Sequence, residues 1–240
     1  MKQGLKRAFH RLLAMTWLKP GATRTVAFGP YRGLTFQLNE PMMSRLGTFY
    51  RAYEPDVSAW LDANIRSGMT VYVVGGHVGI HVLHIAQLMQ ARGHIYVFEG
   101  WPDNVAALQR NVDLNPQLQV DISVLPQCIA AEAGIVNMAE GTSDGKHHLS
   151  NTRDSASHTI EVEATTLDQF WQTRKTCPDV VLIDIEGYEL DALEGGERML
   201  SACKPRLVLE HHGEEAALID WLSIRQRPTR ALGHRHLVTS

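Results

Sequence analysis

The sequence predicts an α/β fold, a mostly parallel sheet with helices on both faces. After residue 70, short β-branched runs alternate with longer helical stretches, the pattern of successive βαβ units. The first run, Val71–Val74, leads straight into a glycine-rich turn and then a helix. The chain of 240 residues is 44% hydrophobic and 20% charged, enough apolar side chain to bury one sizeable core. That composition excludes a disordered chain and a Cys-dense disulfide scaffold.

In chain order, residues 20–53 are rich in Gly, Pro and aromatics and read as a cap made of a short strand or hairpin and a helix. Val71–Val74 is a buried strand, Ile80–Gln90 a helix, Ile95–Phe98 a strand, and Asp103–Leu114 a helix stopped by Asn115-Pro116. A strand follows at Gln119–Leu125. Residues 140–158 form a polar, Gly/Ser-rich loop between strand-like Ile135–Ala139 and Thr159–Ala164, which predicts a β-hairpin excursion. Val180–Ile183 is the next strand, Leu190–Ala202 a single helix, Leu207–Leu209 a strand and Glu214–Arg225 a helix. Strand-like segments at Arg230–Leu232 and His236–Thr239 complete the pattern.

Charge divides the chain. Residues 1–53 hold nine Lys/Arg against one acid, Glu40, while the remainder holds 14 basic and 25 acidic residues, so +8 faces -11. The expected division is a basic N-terminal helix and cap over residues 1–54 and the main domain over 55–240. Leu5, Phe9, Leu12, Leu13 and Trp17 recur at helical spacing with basic residues between them, an amphipathic helix. It either packs on the acidic body or contacts an anionic membrane surface or lipid-linked substrate. It lacks the uninterrupted apolar region of a signal peptide, and the sequence has no run of 18 apolar residues, so a cytoplasmic protein is expected. Cys128, Cys177 and Cys203 have no CxxC spacing, which indicates neither a zinc ribbon nor a disulfide framework.

The chemistry begins at Gly75-Gly76-His77-Val78-Gly79. Glycines let the turn visit positive φ and bring backbone close to a ligand. The second strand ends in Phe98-Glu99, which places an acid 20 residues beyond Gly79 to bind the ribose hydroxyls of an adenosine cofactor. GxGxxG fails in both registers, at His77 and Ile80 or at Val78 and His81, which disfavours NAD; no GxxxxGK[ST] is present for ATP.

With these marks the chain resembles the FkbM-type S-adenosylmethionine-dependent methyltransferases from about Gly29 onward. The resemblance rests on Tyr53-Glu54-Pro55, the Gly75–Gly79 turn, Phe98-Glu99, Asn104, Asn111…Asn115, Thr165-Thr166-Leu167-Asp168, Asp184-Ile185-Glu186-Gly187 with Glu189, and Glu210-His211-His212. It implies a Rossmann-like methyltransferase fold, S-adenosyl-L-methionine as cofactor, and O-methylation of a carbohydrate, polyketide or related hydroxyl compound. In the family the first strand carries an acid two residues before the first motif glycine; here Val73 stands there. That departure motivates the alternative of a catalytically silent binding protein, with Glu54 and Asp184 as remaining partners for the cofactor's ammonium group.

Methyl transfer to a hydroxyl requires alignment, exclusion of water and removal of a proton. Asp184 and Glu210-His211-His212 follow strands whose carboxyl ends face the ligand crevice, so they are the candidate catalytic groups. Gly75, Gly76, His77 and Gly79 would form the cofactor turn, Glu99 would hold the ribose, and Trp101 would cover the adenine. Cys128 and Ile129 would pass the adenine edge, chiefly through backbone groups. Glu186, with His148 and Asn151 from the polar loop, would meet the acceptor. A divalent ion on Asp184, Glu186, Glu210 and the histidines is the competing use of that cluster, but no tight ligand spacing supports a metal. Glu189 reads as an acidic helix start.

Overall fold

A computed structural model describes residues 21–38, 52–140, 147–149 and 159–239. The helix expected at Leu5–Leu18, the helical part of the cap and Asn151 lie outside the described residues. Strand β1 (Thr23–Thr25) pairs antiparallel with β2 (Thr35–Gln37), the hairpin of the cap. Helix α1 (Pro55–Asn64) starts at a proline, whose fixed φ suits a first turn. Then follow β3 (Thr70–Val74), α2 (Ile80–Met89), β4 (His94–Phe98), α3 (Pro102–Asp113) and β5 (Asp121–Leu125). A second sheet takes β6 (Cys128–Ile129), β7 (Gly134–Glu140), β8 (His147–Leu149) and β9 (Thr159–Thr165) in the order β6-β9-β7-β8.

Helix α4 (Leu167–Arg174) is N-capped by Thr166, whose side chain accepts from Gln169 N–H at 3.0 Å. The remaining elements are β10 (Val180–Ile183), α5 (Glu189–Glu194), α6 (Glu197–Cys203), β11 (Arg206–Glu210), α7 (Glu215–Ile224), β12 (Thr229–Leu232) and β13 (His236–Thr239). The main sheet runs β12-β13-β11-β10-β3-β4-β5. β3, β4, β5, β10 and β11 are mutually parallel, and β12 and β13 close one edge antiparallel.

Val71–Val74, Ile95–Phe98, Val180–Ile183 and Leu207–Leu209 are continuous apolar runs because both faces of the sheet are covered. Tyr72, Val74, Phe98, Ile183 and Leu209 pack on α4 to α7, while Val71, Val73, Val97, Leu182 and Val208 pack on α1 to α3. From β3 the chain steps outward to β5, then returns to β10 on the other side. The point where strand order reverses is therefore the β3/β10 boundary, where a crevice opens beyond the carboxyl ends.

The cap hairpin joins the body through Val26, Tyr31, Leu34 and Phe36, which share a core with Val78, Ile80 and Leu83. Two asparagines four residues apart, Asn111 on α3 and Asn115 just past its end, finish the edge of β2. Asn111 Oδ1 accepts from Gln37 N–H (2.9 Å) and Asn115 Oδ1 from Thr35 N–H (2.8 Å), while Asn115 Nδ2 donates to Thr35 O (2.7 Å). Asn111 Nδ2 also donates to Val78 O in the glycine turn (2.7 Å).

Two expectations are corrected. Leu190–Ala202 is two helices, because the chain turns at Gly195-Gly196, where added Cβ atoms would meet Ala130 O at 2.2 Å and Leu167 at 3.0 Å. Cys177 and Cys203 form a disulfide, their Cα atoms 5.3 Å apart. They precede parallel neighbours β10 and β11, a proximity that 26 residues of sequence separation conceal. Cys128 remains a buried free thiol.

Candidate active site

The glycine turn is built by close approach. Gly75 has φ 90°, and a Cβ there would lie 1.9 Å from Asp184 O; a Cβ on Gly76 would meet Val97 at 2.4 Å and one on Gly79 would meet Leu108 at 2.5 Å. Gly75 and Gly76 both donate to Phe98 O, at 2.9 and 3.2 Å, which ties the turn to the end of β4.

Glu99 then locks it. Its Oε2 accepts from His77 N–H at 2.7 Å and its Oε1 from Trp101 N–H at 2.9 Å, with Asn104 Nδ2 at 3.5 Å. Burial pushes the Glu99 carboxyl above its ordinary range, and the two backbone donors act against that rise. A carboxylate accepts at about four positions, so it retains capacity for a hydroxyl donor. The cleft at this turn is lined by Gly75, Gly76, His77, Glu99, Asp184 and Glu186, with Cys128 and Ile129 on the far wall.

The Trp101 side chain packs with Ala130, Val162 and the cleft-lining Met138, and its backbone N–H donates to Glu99. The Cys128 thiol is 3.3 Å from Met138 Sδ and burial pushes it up to about 12, which leaves it an inert wall group. Val73 is 1% exposed within the apolar layer beneath α1 and α2; the place of an acid is filled by core.

Beyond β10 and β11 lies a network of carboxylates and imidazoles. Asp184, Glu210 and His212 bring donor atoms within 4.8 Å of one another, as do Glu54, Glu210 and His236. Desolvation, then the charge of Glu210 and a hydrogen bond with it, raise the Asp184 carboxyl well above its ordinary range. Arg235 Nη2 lies 3.0 Å from Glu210 Oε1.

His212 Nδ1 is 3.0 Å from Glu189 Oε1 and Nε2 is 3.1 Å from Glu186 Oε2. Burial lowers the His212 imidazole, but Glu186, Glu189 and Glu210 outweigh it and hold it at about 10. His212 is thus an imidazolium near neutrality and has no lone pair to take a proton, which removes it as a base. His211 donates its backbone N–H to Arg235 O (2.7 Å), and its ring makes no hydrogen bond among the described residues.

Glu189 is more than a helix start. It is fully buried, and Oε1 accepts from Ile185 N–H (3.3 Å) and Gly187 N–H (3.2 Å), shaping the Asp184–Gly187 turn. His148 lies on β8, across from Ala139. His81, which the sequence places with His77 and His84 near the helix N-terminus and cofactor pocket, and His236, to which the sequence assigns no role, meet Glu54 Oε2 at 2.8 and 3.7 Å. The available signal was position: His81 sits one residue into the helix that the glycine turn opens, and His236 begins a strand.

Residues 74–235 match the family described as Methyltransferase FkbM domain. A methyltransferase FkbM from Methylobacillus flagellatus KT superposes with TM-score 0.53 at 18% identity, over 73% of this chain and 44% of that one. The chain therefore spans less than half the length of that protein. A methyltransferase from Geobacter sulfurreducens gives TM-score 0.49 at 14% identity, over 82% and 83% of the two chains. The fibrillarin of Aeropyrum pernix, solved with natively bound S-adenosyl-L-methionine, gives 0.47 at 11% identity, over 76% and 72%. No curated protein sequence matches the chain. With a Rossmann-like sheet, the glycine turn and acid at its switch point, and a family match over residues 74–235, the chain belongs to the FkbM methyltransferase family.

Proposed function

We propose that the chain is an S-adenosyl-L-methionine-dependent O-methyltransferase that acts on a hydroxyl of a carbohydrate, polyketide or related small metabolite. The observation that carries this reading is the Glu99 carboxylate at the cleft, fixed by two backbone donors and retaining acceptor capacity beside a turn whose three glycines leave no room for a Cβ. The residues fit the cofactor: Glu99 would accept from the ribose hydroxyls, the turn's backbone would approach the methionine end, and Cys128 and Ile129 would border the base. Asp184 and Glu54 stand where they could meet an ammonium group. S-adenosylmethionine would supply a methyl carbon bound to a sulfonium, whose bonding pair stays on sulfur when the methyl leaves.

The chain's own residues do the rest. Glu186 stands at the cleft with its carboxylate anchored toward His212, a place from which it can accept from an acceptor hydroxyl. The imidazolium of His212 limits the negative charge of the five nearby carboxyl groups, Glu54, Asp184, Glu186, Glu189 and Glu210.

A thermal-shift comparison tests the proposal. S-adenosylhomocysteine at 100 times its dissociation constant stabilises a protein by about 2.7 kcal/mol, a rise of roughly 5–11 °C for a domain of this size. A rise with S-adenosylhomocysteine and none with NAD is expected. No response to either would leave the silent binding protein suggested by Val73.

A further inference from the structure

We propose that His81 is the general base of this site and that Glu54 is the residue that positions it. The inference rests on the methyl-transfer reading above and adds to it the atom that takes the hydroxyl proton.

Glu54 is set by its surroundings. Tyr31 Oη donates to Tyr53 O at 2.9 Å, and Tyr53 N–H donates to Tyr31 Oη at 3.0 Å, fixing the approach to α1. Glu54 itself takes a left-handed conformation, φ 45°, at the N-cap of α1. From there its Oε2 lies 2.8 Å from His81 Nε2, with side-chain exposures of 23% and 11%. Burial raises the Glu54 carboxyl, but the hydrogen bond and charge of His81, with the charge of His236, outweigh it and hold Glu54 at about 2.

An ionised carboxylate can only accept. In the neutral ring, therefore, the hydrogen of His81 sits on Nε2, and Nδ1 keeps its lone pair. Nδ1 is buried and has no hydrogen-bond partner among the described residues. A buried acceptor left without a donor costs free energy, and such atoms mark places where a ligand or water supplies the donor. His81 lines the cleft together with Gly75, Gly76 and His77.

Several acidic and basic groups nearby are engaged with one another: Glu186 and Glu189 flank the His212 ring, Glu210 raises Asp184, and Glu99 accepts from two backbone N–H groups. The titratable groups facing His81 are Glu54 at the start of α1, His84 on its own helix, His236 on β13, Asp184 and Glu210 at the strand ends, and Tyr53, whose ring centroid is 5.3 Å away.

In the step proposed, the acceptor O–H bond breaks. Its proton goes to His81 Nδ1, and its bonding pair stays on the oxygen that takes the methyl group. The imidazolium so formed faces the Glu54 carboxylate and later releases its proton to solvent.

The test uses the full chain without cofactor. Nitrogen-15 spectra of the histidine rings, with His81 assigned by its absence in His81→Gln, should show at pH 8 a protonated Nε2 and a bare Nδ1. Glu54→Gln should abolish that preference, since an amide donates as well as accepts. A protonated Nδ1, or a ring with both nitrogens protonated, overturns the proposal.

His81→Gln should bind S-adenosylhomocysteine within about threefold of the parent. A loss beyond about tenfold would make His81 a cofactor ligand instead of a base. If the parent binds no S-adenosylhomocysteine, the methyltransferase reading falls while the ring spectra still report on the dyad.

Discussion

Asp184→Asn isolates the titration of Asp184 beside Glu210. The folded Asp184 carboxyl lies well above its ordinary value near 3.8, first through desolvation and then through Glu210. An acid raised in the folded state contributes stability below its unfolded value and loses it as pH rises toward the folded one. Over that window the unfolded chain is ionised at Asp184 and the folded chain is not, so each pH unit removes about 1.4 kcal/mol. Asparagine reproduces the donor of the protonated acid and does not titrate. His212 and Glu54 titrate in both proteins and cancel to first order in the difference.

Urea unfolding of parent and variant at pH 4.5, 5.5, 6.5 and 7.5 should therefore show the parent losing ground to the variant as pH rises, at no more than about 1.4 kcal/mol per unit. The curve should flatten where folded Asp184 ionises. A difference that stays constant with pH, or a parent that gains on the variant as pH rises, would refute the raised Asp184 carboxyl.

Three further outcomes are expected. Glu99→Gln sets an amide NH2 against one of the His77 and Trp101 N–H donors, at a cost of about 1–3 kcal/mol; calorimetry should show S-adenosylhomocysteine binding weakened about tenfold or more. Asn111→Ala strands Val78 O in a buried place and Gln37 N–H in a part-buried one, so denaturant unfolding should show a loss of about 1–3 kcal/mol. Replacing Cys177 and Cys203 together by Ser opens a loop of 26 residues and should lower stability by about 3.5 kcal/mol, seen as a fall in Tm. Because the bond sits at the amino ends of β10 and β11, S-adenosylhomocysteine affinity should be unchanged in that variant.

The strand, turn and acid of the cofactor half were legible in the sequence because local rules govern them. Val71–Val74 is apolar at every position since both faces of β3 are covered, and glycine is required where Cβ would strike Asp184 O or Val97. The break at Gly195-Gly196 was hidden because the apolar residues on either side continue a helical spacing across it. Glu54–His81, Cys177–Cys203 and His236–Glu54 are pairs between elements far apart in sequence. They exist through sheet order, in which β13 inserts beside β11 and β10 beside β3, and no short window of residues contains that order. His212 illustrates a second limit: its type suggested a base, and the three carboxylates that fold around it make it a fixed cation.

The Asn111 side chain has a consequence for exchange between relatives. One amide serves two masters, the edge of the cap hairpin and the carbonyl of Val78 in the cofactor turn. A chimera that imports residues 21–38 from another family member would inherit a foreign hairpin edge against a resident Asn111 and Asn115. If the imported strand arrives in a shifted register, the amide must abandon either the hairpin or the glycine turn, where the cofactor is proposed to bind. Cap and turn are thus one heritable unit, and grafts intended to alter acceptor choice should carry helix 102–113 and Asn115 along with the cap.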